Sequence, residues 1–195
     1  LPNNFAISSS DDRTIRIWDL TNNNEALRMV WWLDGRWLVI DNQGRFDTNA
    51  IDRLKGVHWT TPTNSLETLP IEAFMKDFFT PGLIRAYLQR TQLSDVPNVN
   101  DLNTSLPKIE ITKIMHSNEN LAVTIQVSET KSGSHRSGVK DLKLFRNGQI
   151  IQYQKDISLK KGTAQIIFDN IKWDGTKEDI TFSAYAFNKD NIKSE

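Results

Sequence analysis

Apolar and polar positions follow two rhythms along the chain. Over residues 5–48 apolar residues alternate with polar ones or form runs of four or five between short polar stretches, which is a strand pattern. Residues 5–10 and 14–20 are the first two runs. In the second, Ile15 and Ile17 share one face and Arg16 the other. Residues 21–24, Thr-Asn-Asn-Asn, read as a turn. The runs LRMVWWL and RWLVI then flank Asp34-Gly35, a pair that predicts a type I′ hairpin, in which both central residues need positive φ. Asn42-Gln43-Gly44 is a further turn before Phe46. The pattern predicts a meander of about five strands over residues 1–50.

After residue 50 the rhythm changes. Residues 61–68 read as a polar, proline-containing loop. In LPIEAFMKDFF, residues 69–79, Ile71, Phe74, Met75 and Phe78 recur at helical spacing, with Pro70 at the start and Thr68 as the expected N-cap. Pro81-Gly82 ends that helix, and LIRAYLQR restarts a short one. Residues 94–107, rich in Asp, Asn, Ser and Pro, read as a linker. Beyond it, IEITKIM, LAVTIQVSE, VKDLKLFRN, QIIQYQKDI, AQIIFDNIKW and ITFSAYAFN are six strand candidates, with Asn147-Gly148 as the clearest hairpin signal. Residues 128–138 read as a mobile polar loop. Short strands at this spacing predict an immunoglobulin- or fibronectin-like β-sandwich over residues 106–195.

Composition narrows the chemistry. Lysine plus arginine and aspartate plus glutamate number 24 each, so no global field draws the chain to nucleic acid or anionic lipid, and neither is expected as a partner. There is no cysteine, which removes disulfides, thiolate metal sites and cysteine nucleophiles; the expected setting is the reducing cytoplasm. No apolar run is long enough to cross a bilayer, and no signal-peptide pattern opens the chain. Because it begins at Leu1, inside a motif, we expect a piece of a longer protein.

Four tryptophans, Trp31, Trp32, Trp37 and Trp59, crowd one region and are the candidate binding residues. Most are expected in a core shared by meander and helices, but neighbours in a strand face opposite sides, so one of Trp31 and Trp32 is expected at a surface. Asp34, Asp41, Asp47 and Asp52 lie at or near turns and are expected to bond local backbone rather than act as acid–base pairs or calcium ligands. His58, His116 and His135 are too far apart in sequence for a zinc motif, and His135 and Ser137 share a loop without nucleophile–base spacing. No catalytic residue, metal site or cofactor is expected. Lys140 and Lys143, and Lys160 and Lys161, read as solvated strand edges that discourage sheet aggregation.

Residues 8–20, SSSDDRTIRIWDL, resemble a WD40 repeat. The resemblance implies a hydrogen-bonded structural network through Ser8, Asp12 and Trp18, with Asp19 completing the Trp-Asp pair; Arg13 stands where glycine is usual. The stretches DGRWLVIDNQGRFDT, VHW and LPIEAFMKDFFTPGLI resemble the segment after the propeller in bacterial WD40-repeat proteins, many of which carry a caspase-like peptidase domain. SGVKDLKLFRNGQ and FSAYAFNKDNIKS resemble the sandwich that follows it. The expected fold is mainly β with a short helical insert: a partial WD40 blade and β-meander over 1–50, a helical connecting segment and linker over 51–105, and the sandwich. The expected function is a non-catalytic scaffold or protein-interaction module between a propeller and a downstream effector, partnered by neighbouring domains or other proteins. Any peptidase activity would lie outside the chain. A truncated blade leaves a sheet edge to be completed, by the chain's own next strands or by a second copy in a homo-oligomer. The alternative function is a carbohydrate- or peptide-binding module using exposed tryptophans.

Overall fold

The computed structural model describes residues 4–61, 64–117, 119–133, 135–173 and 180–194. The fold is mainly β, built of several antiparallel sheets with short helical insertions, and it divides into two compact units, Leu1–Leu102 and Asn103–Glu195.

In the first unit β1 (Phe5–Ser9), β2 (Thr14–Asp19), β3 (Asn24–Trp31), β4 (Trp37–Asp41) and β5 (Phe46–Thr48) form one sheet in chain order. All neighbours are antiparallel, so the strands after the Trp-Asp pair continue its sheet. Register places Ile17, Leu27 and Val39 on one face, where they are buried with Phe5 and Leu83.

Three of the hairpin loops share one geometry. In each, an N–H bonds the carbonyl four residues on: Ser10 to Thr14 at 3.1 Å, Trp32 to Arg36 at 2.9 Å, Asp41 to Arg45 at 3.0 Å. The last residue of each three-residue loop is left-handed: Arg13 (φ 66), Gly35 (φ 85) and Gly44 (φ 88). This corrects the type I′ expectation at Asp34-Gly35. Only Gly35 takes positive φ, because the loop has three residues, Leu33, Asp34 and Gly35. The hairpin expected at Asn147-Gly148 is present, and there both residues have positive φ (50 and 79) between directly paired Arg146 and Gln149.

Two further expectations need correction. The segment read as a loop is largely a hairpin of β6 (His58–Thr61) and β7 (Asn64–Pro70), with Trp59 opposite Leu69 and Thr60 opposite Thr68. Threonine's β-branched stem suits a pleated ladder, and the apolar pair anchors it, so polar composition misleads. Thr68 is therefore in a strand and is not a cap. Pro70 itself precedes the helical stretch, in extended conformation and without a side-chain cap; a 3₁₀ turn (Ile71–Phe74) runs into α1 (Met75–Phe78). After Gly82, whose φ of 81 suits glycine, comes α2 (Leu83–Leu88).

In the second unit β8 (Lys108–Ser117), β9 (Asn120–Ser128) and β14 (Thr163–Lys172) form one three-stranded sheet in the order β14-β9-β8. A second sheet, in the order β13-β12-β15, comprises β12 (Lys140–Arg146), β13 (Gln149–Asp156) and β15 (Phe182–Phe187). Their inner faces bury one cluster that includes Val123, Ile125, Val127, Leu142, Leu144 and Ala186. All six strand candidates are strands. The loop expected over 128–138 holds a small hairpin, β10 (Lys131–Ser132) with β11 (His135–Arg136). The expected linker is tied down at both ends: Arg45 donates to the Ser94 carbonyl in the first unit, and Asn188 donates to the Asn103 and Ser105 carbonyls in the second. Among the described residues no helix is long and apolar enough to cross a membrane.

Candidate functional site

Two of the three like hairpin loops lie at one end of the five-stranded sheet, the β1–β2 tip beside the β3–β4 tip. Between them runs an open groove of about 720 Å³, lined by Ser9, Arg13, Ile15, Trp31, Trp32 and Leu33 among others. Trp31 is 55% exposed and Leu33 fully so. Trp32, next to Trp31 in the groove lining, is half-buried, with the Arg36 guanidinium over its ring at 5.6 Å. Arg36 is held by Asp34 at 2.7 Å and donates to the Arg53 carbonyl. Hydrogen bonds from the Arg36 N–H and guanidinium keep the Asp34 carboxyl below the usual range. The Arg36–Asp34 pair thus sits in the groove lining together with Arg13 and the apolar side chains of Ile15, Val30, Trp31, Trp32 and Leu33.

The other two candidate tryptophans are elsewhere. Trp37 lies opposite Trp31 in the ladder, but it packs against the buried cluster that includes Val39 and Leu83. Trp59 stands against Phe74 and Phe78, ring centroids 5.1 and 6.1 Å away. Its Nε1 is buried without a hydrogen-bond partner among the described residues. The four tryptophans therefore do not form one surface; Trp31 and Trp32 share the groove and the other two pack inward.

Of the motif residues, Trp18 and Ser8 meet directly: Trp18 Nε1–H donates to Ser8 Oγ at 2.8 Å, across the β1–β2 ladder. Asp12 does not join them. It accepts from the Thr14 hydroxyl (2.6 Å), the Thr14 N–H (2.9 Å) and the Arg16 guanidinium (3.0 Å), bonds that lower its carboxyl pKa to about 2. Asp19 accepts both prongs of Arg90, each at 3.0 Å, together with the Thr21 N–H. The Arg90 bonds come first among the causes that hold the Asp19 carboxyl far below its ordinary range.

A set of polar ties missed in the sequence runs along the face covered by α2. Asp41, buried, bonds the Arg45 guanidinium and the Tyr87 hydroxyl, each at 3.0 Å; Asp47 accepts the Gly82 N–H at 2.8 Å. Asp47 thus bonds backbone 35 residues away, correcting the expectation of a local turn bond. Burial, then the Asp41 charge, raises the Tyr87 phenol. Together Asp19, Asp41 and Asp47 hold the segment from Gly82 to Arg90 on the sheet. No local motif marks Arg90 or Tyr87, because their partners are set by packing. Elsewhere His116 stands edge-on to Trp173 at 4.1 Å, and no three His, Asp or Glu side chains converge as metal ligands among the described residues.

No protein-family model, curated protein or solved structure matches the chain.

Proposed function

We propose that this chain is a non-catalytic scaffold and protein-interaction module, connecting a WD40 propeller to a downstream effector domain. The observation that carries the reading is the Trp18–Ser8 hydrogen bond within a sheet that runs on for three more strands. It is the bond the motif resemblance calls for, and the added strands give the blade-like pair neighbours of its own. The use of charge supports the same reading. Asp19, Asp41 and Asp47 are each committed to an arginine, a tyrosine or a backbone N–H that braces α2, which stiffens a support. In the second unit, two sheets closing on one apolar core support an immunoglobulin-like spacer. The cysteine-free composition supports a cytoplasmic setting. Sequencing the coding region on both sides is expected to show further WD repeats upstream and a cysteine–histidine domain downstream. A reading frame with neither overturns the proposal. Limited proteolysis of the longer protein adds a mechanical test: cutting the second unit free is expected to alter the behaviour of its neighbours.

A second reading is favoured by one observation, the exposure of Trp31 beside Leu33. Here the groove takes a glycan or peptide by stacking on Trp31. A glycan and peptide panel read by tryptophan fluorescence separates the two: a blue shift with one ligand, abolished in Trp31→Ala, supports the groove.

A further inference from the structure

Lysines 140 and 143 read as plain strand-edge charges in the sequence, yet the outward face of the β13-β12-β15 sheet arranges one of them otherwise. Lys143 is directly opposite Tyr153 on one side and Tyr185 on the other, and Phe187 faces Lys193 across a short bridge. Aromatic and cationic groups therefore alternate across the sheet, although no stretch of sequence interleaves them. The Lys143 Nζ is 5.6 Å from the centroids of both Tyr185 and Phe187, and the Lys193 Nζ is 5.1 Å from that of Tyr185. Two like charges converge on one ring. Among the described residues neither ammonium has a carboxylate partner, and the Tyr185 hydroxyl has no hydrogen-bond partner. Partial burial raises the Tyr185 phenol above its ordinary value, so it stays a donor at neutral pH.

We propose that this face, at Lys143, Tyr185 and Lys193, binds the carboxylates of an acidic peptide segment in a protein partner. Charge complementarity selects the occupant: two ammoniums without a carboxylate partner among the described residues and a phenolic donor offer three positions to oxygen anions. Base stacking fits less well, because Phe145 already stacks on Tyr185 at 5.1 Å and the lysines stand over the same ring. The half-exposed Tyr153 at the rim gives an aliphatic side chain of the same segment a surface to cover.

The inference rests on the protein-interaction reading and names the partner's chemistry. Its test uses the whole chain and a fluorescein-labelled hexaglutamate peptide, followed by anisotropy. Binding that weakens with salt is expected, with a loss of about fivefold or more in the Lys143→Gln/Lys193→Gln variant, the size that follows from removing two exposed ion pairs. Lys160→Gln/Lys161→Gln is expected to bind as the wild type does, and Lys143→Glu/Lys193→Glu to prefer hexalysine. Superimposable circular dichroism melts verify that the variants fold. Absence of hexaglutamate binding, equal loss in the control variant, or tighter binding to oligothymidylate or phosphatidylserine vesicles overturns the proposal. Such a failure leaves the flanking-sequence test of the scaffold reading untouched, so the two fail separately.

Discussion

Arg90 grips Asp19 with both prongs of its guanidinium, joining the residue just beyond α2 to the end of β2 across 71 positions of sequence. The pair sits where the chain leaves the Trp-Asp strand, and it decides how the first unit responds to acid. The folded-state pKa of Asp19 is depressed, so the unfolded chain takes up the proton first. The stabilisation is whole above the ordinary aspartate value of 3.8 and is lost as pH falls below it. Urea midpoints for the wild type are expected to hold from pH 7 to about 4 and drop below. Asp19→Asn and Arg90→Gln are expected to start lower and fall less steeply. Parallel curves would remove the pair from the account.

The three like loops make a matched set of substitutions. Arg13 occupies a left-handed position that its Cβ disfavours, so Arg13→Gly is expected to stabilise by about 0.5–1 kcal/mol. Gly35→Ala meets no atom within 4 Å and is expected to lose only the backbone preference, about 1 kcal/mol. At Gly44 the added Cβ would stand 2.8 Å from Trp59 Cη2, and Gly44→Ala is expected to lose about 2 kcal/mol or more. Equilibrium denaturation ranks the three, and equal losses at Gly35 and Gly44 would contradict the close approach of Trp59.

The Trp18–Ser8 bond is open to a double-mutant cycle. Trp18→Phe removes the indole donor and Ser8→Ala its acceptor, at a partly solvated site where such a bond contributes about 0.5–1 kcal/mol. Coupling of about 0.5 kcal/mol is expected by thermal or urea unfolding. Additive losses would mean that the bond contributes nothing.

Leu144 lies fully buried between the sheets of the second unit. Leu144→Ala is expected to destabilise that unit by about 2–5 kcal/mol. Hydrogen exchange is expected to quicken in β12 and β15 while β2, β3 and β4 keep their protection, as two separate cores require. A uniform loss of protection would count against that division.

Much of the β framework was legible because its signals are local. Ile15 and Ile17 set the face of β2, and Asn147-Gly148 forms its two-residue turn with both φ values positive. Asp34-Gly35 was legible as a turn but not as a turn type, since loop length depends on which flanking residues pair. The β6–β7 hairpin was hidden, because Thr68 belongs to a polar stretch that looks like a loop until it faces Thr60.

By itself, then, the sequence determined the strands and reversals of the N-terminal meander and the six long strands after residue 107, and that one of two adjacent tryptophans reaches solvent, since backbone preference and side-chain alternation act over a few residues. Tertiary structure alone decided that Trp31 is the exposed one, that Arg90 holds Asp19, and that Tyr153, Lys143 and Tyr185 stand in a row. Those outcomes depend on strand register and on which faces meet, and register is settled by burying distant side chains together.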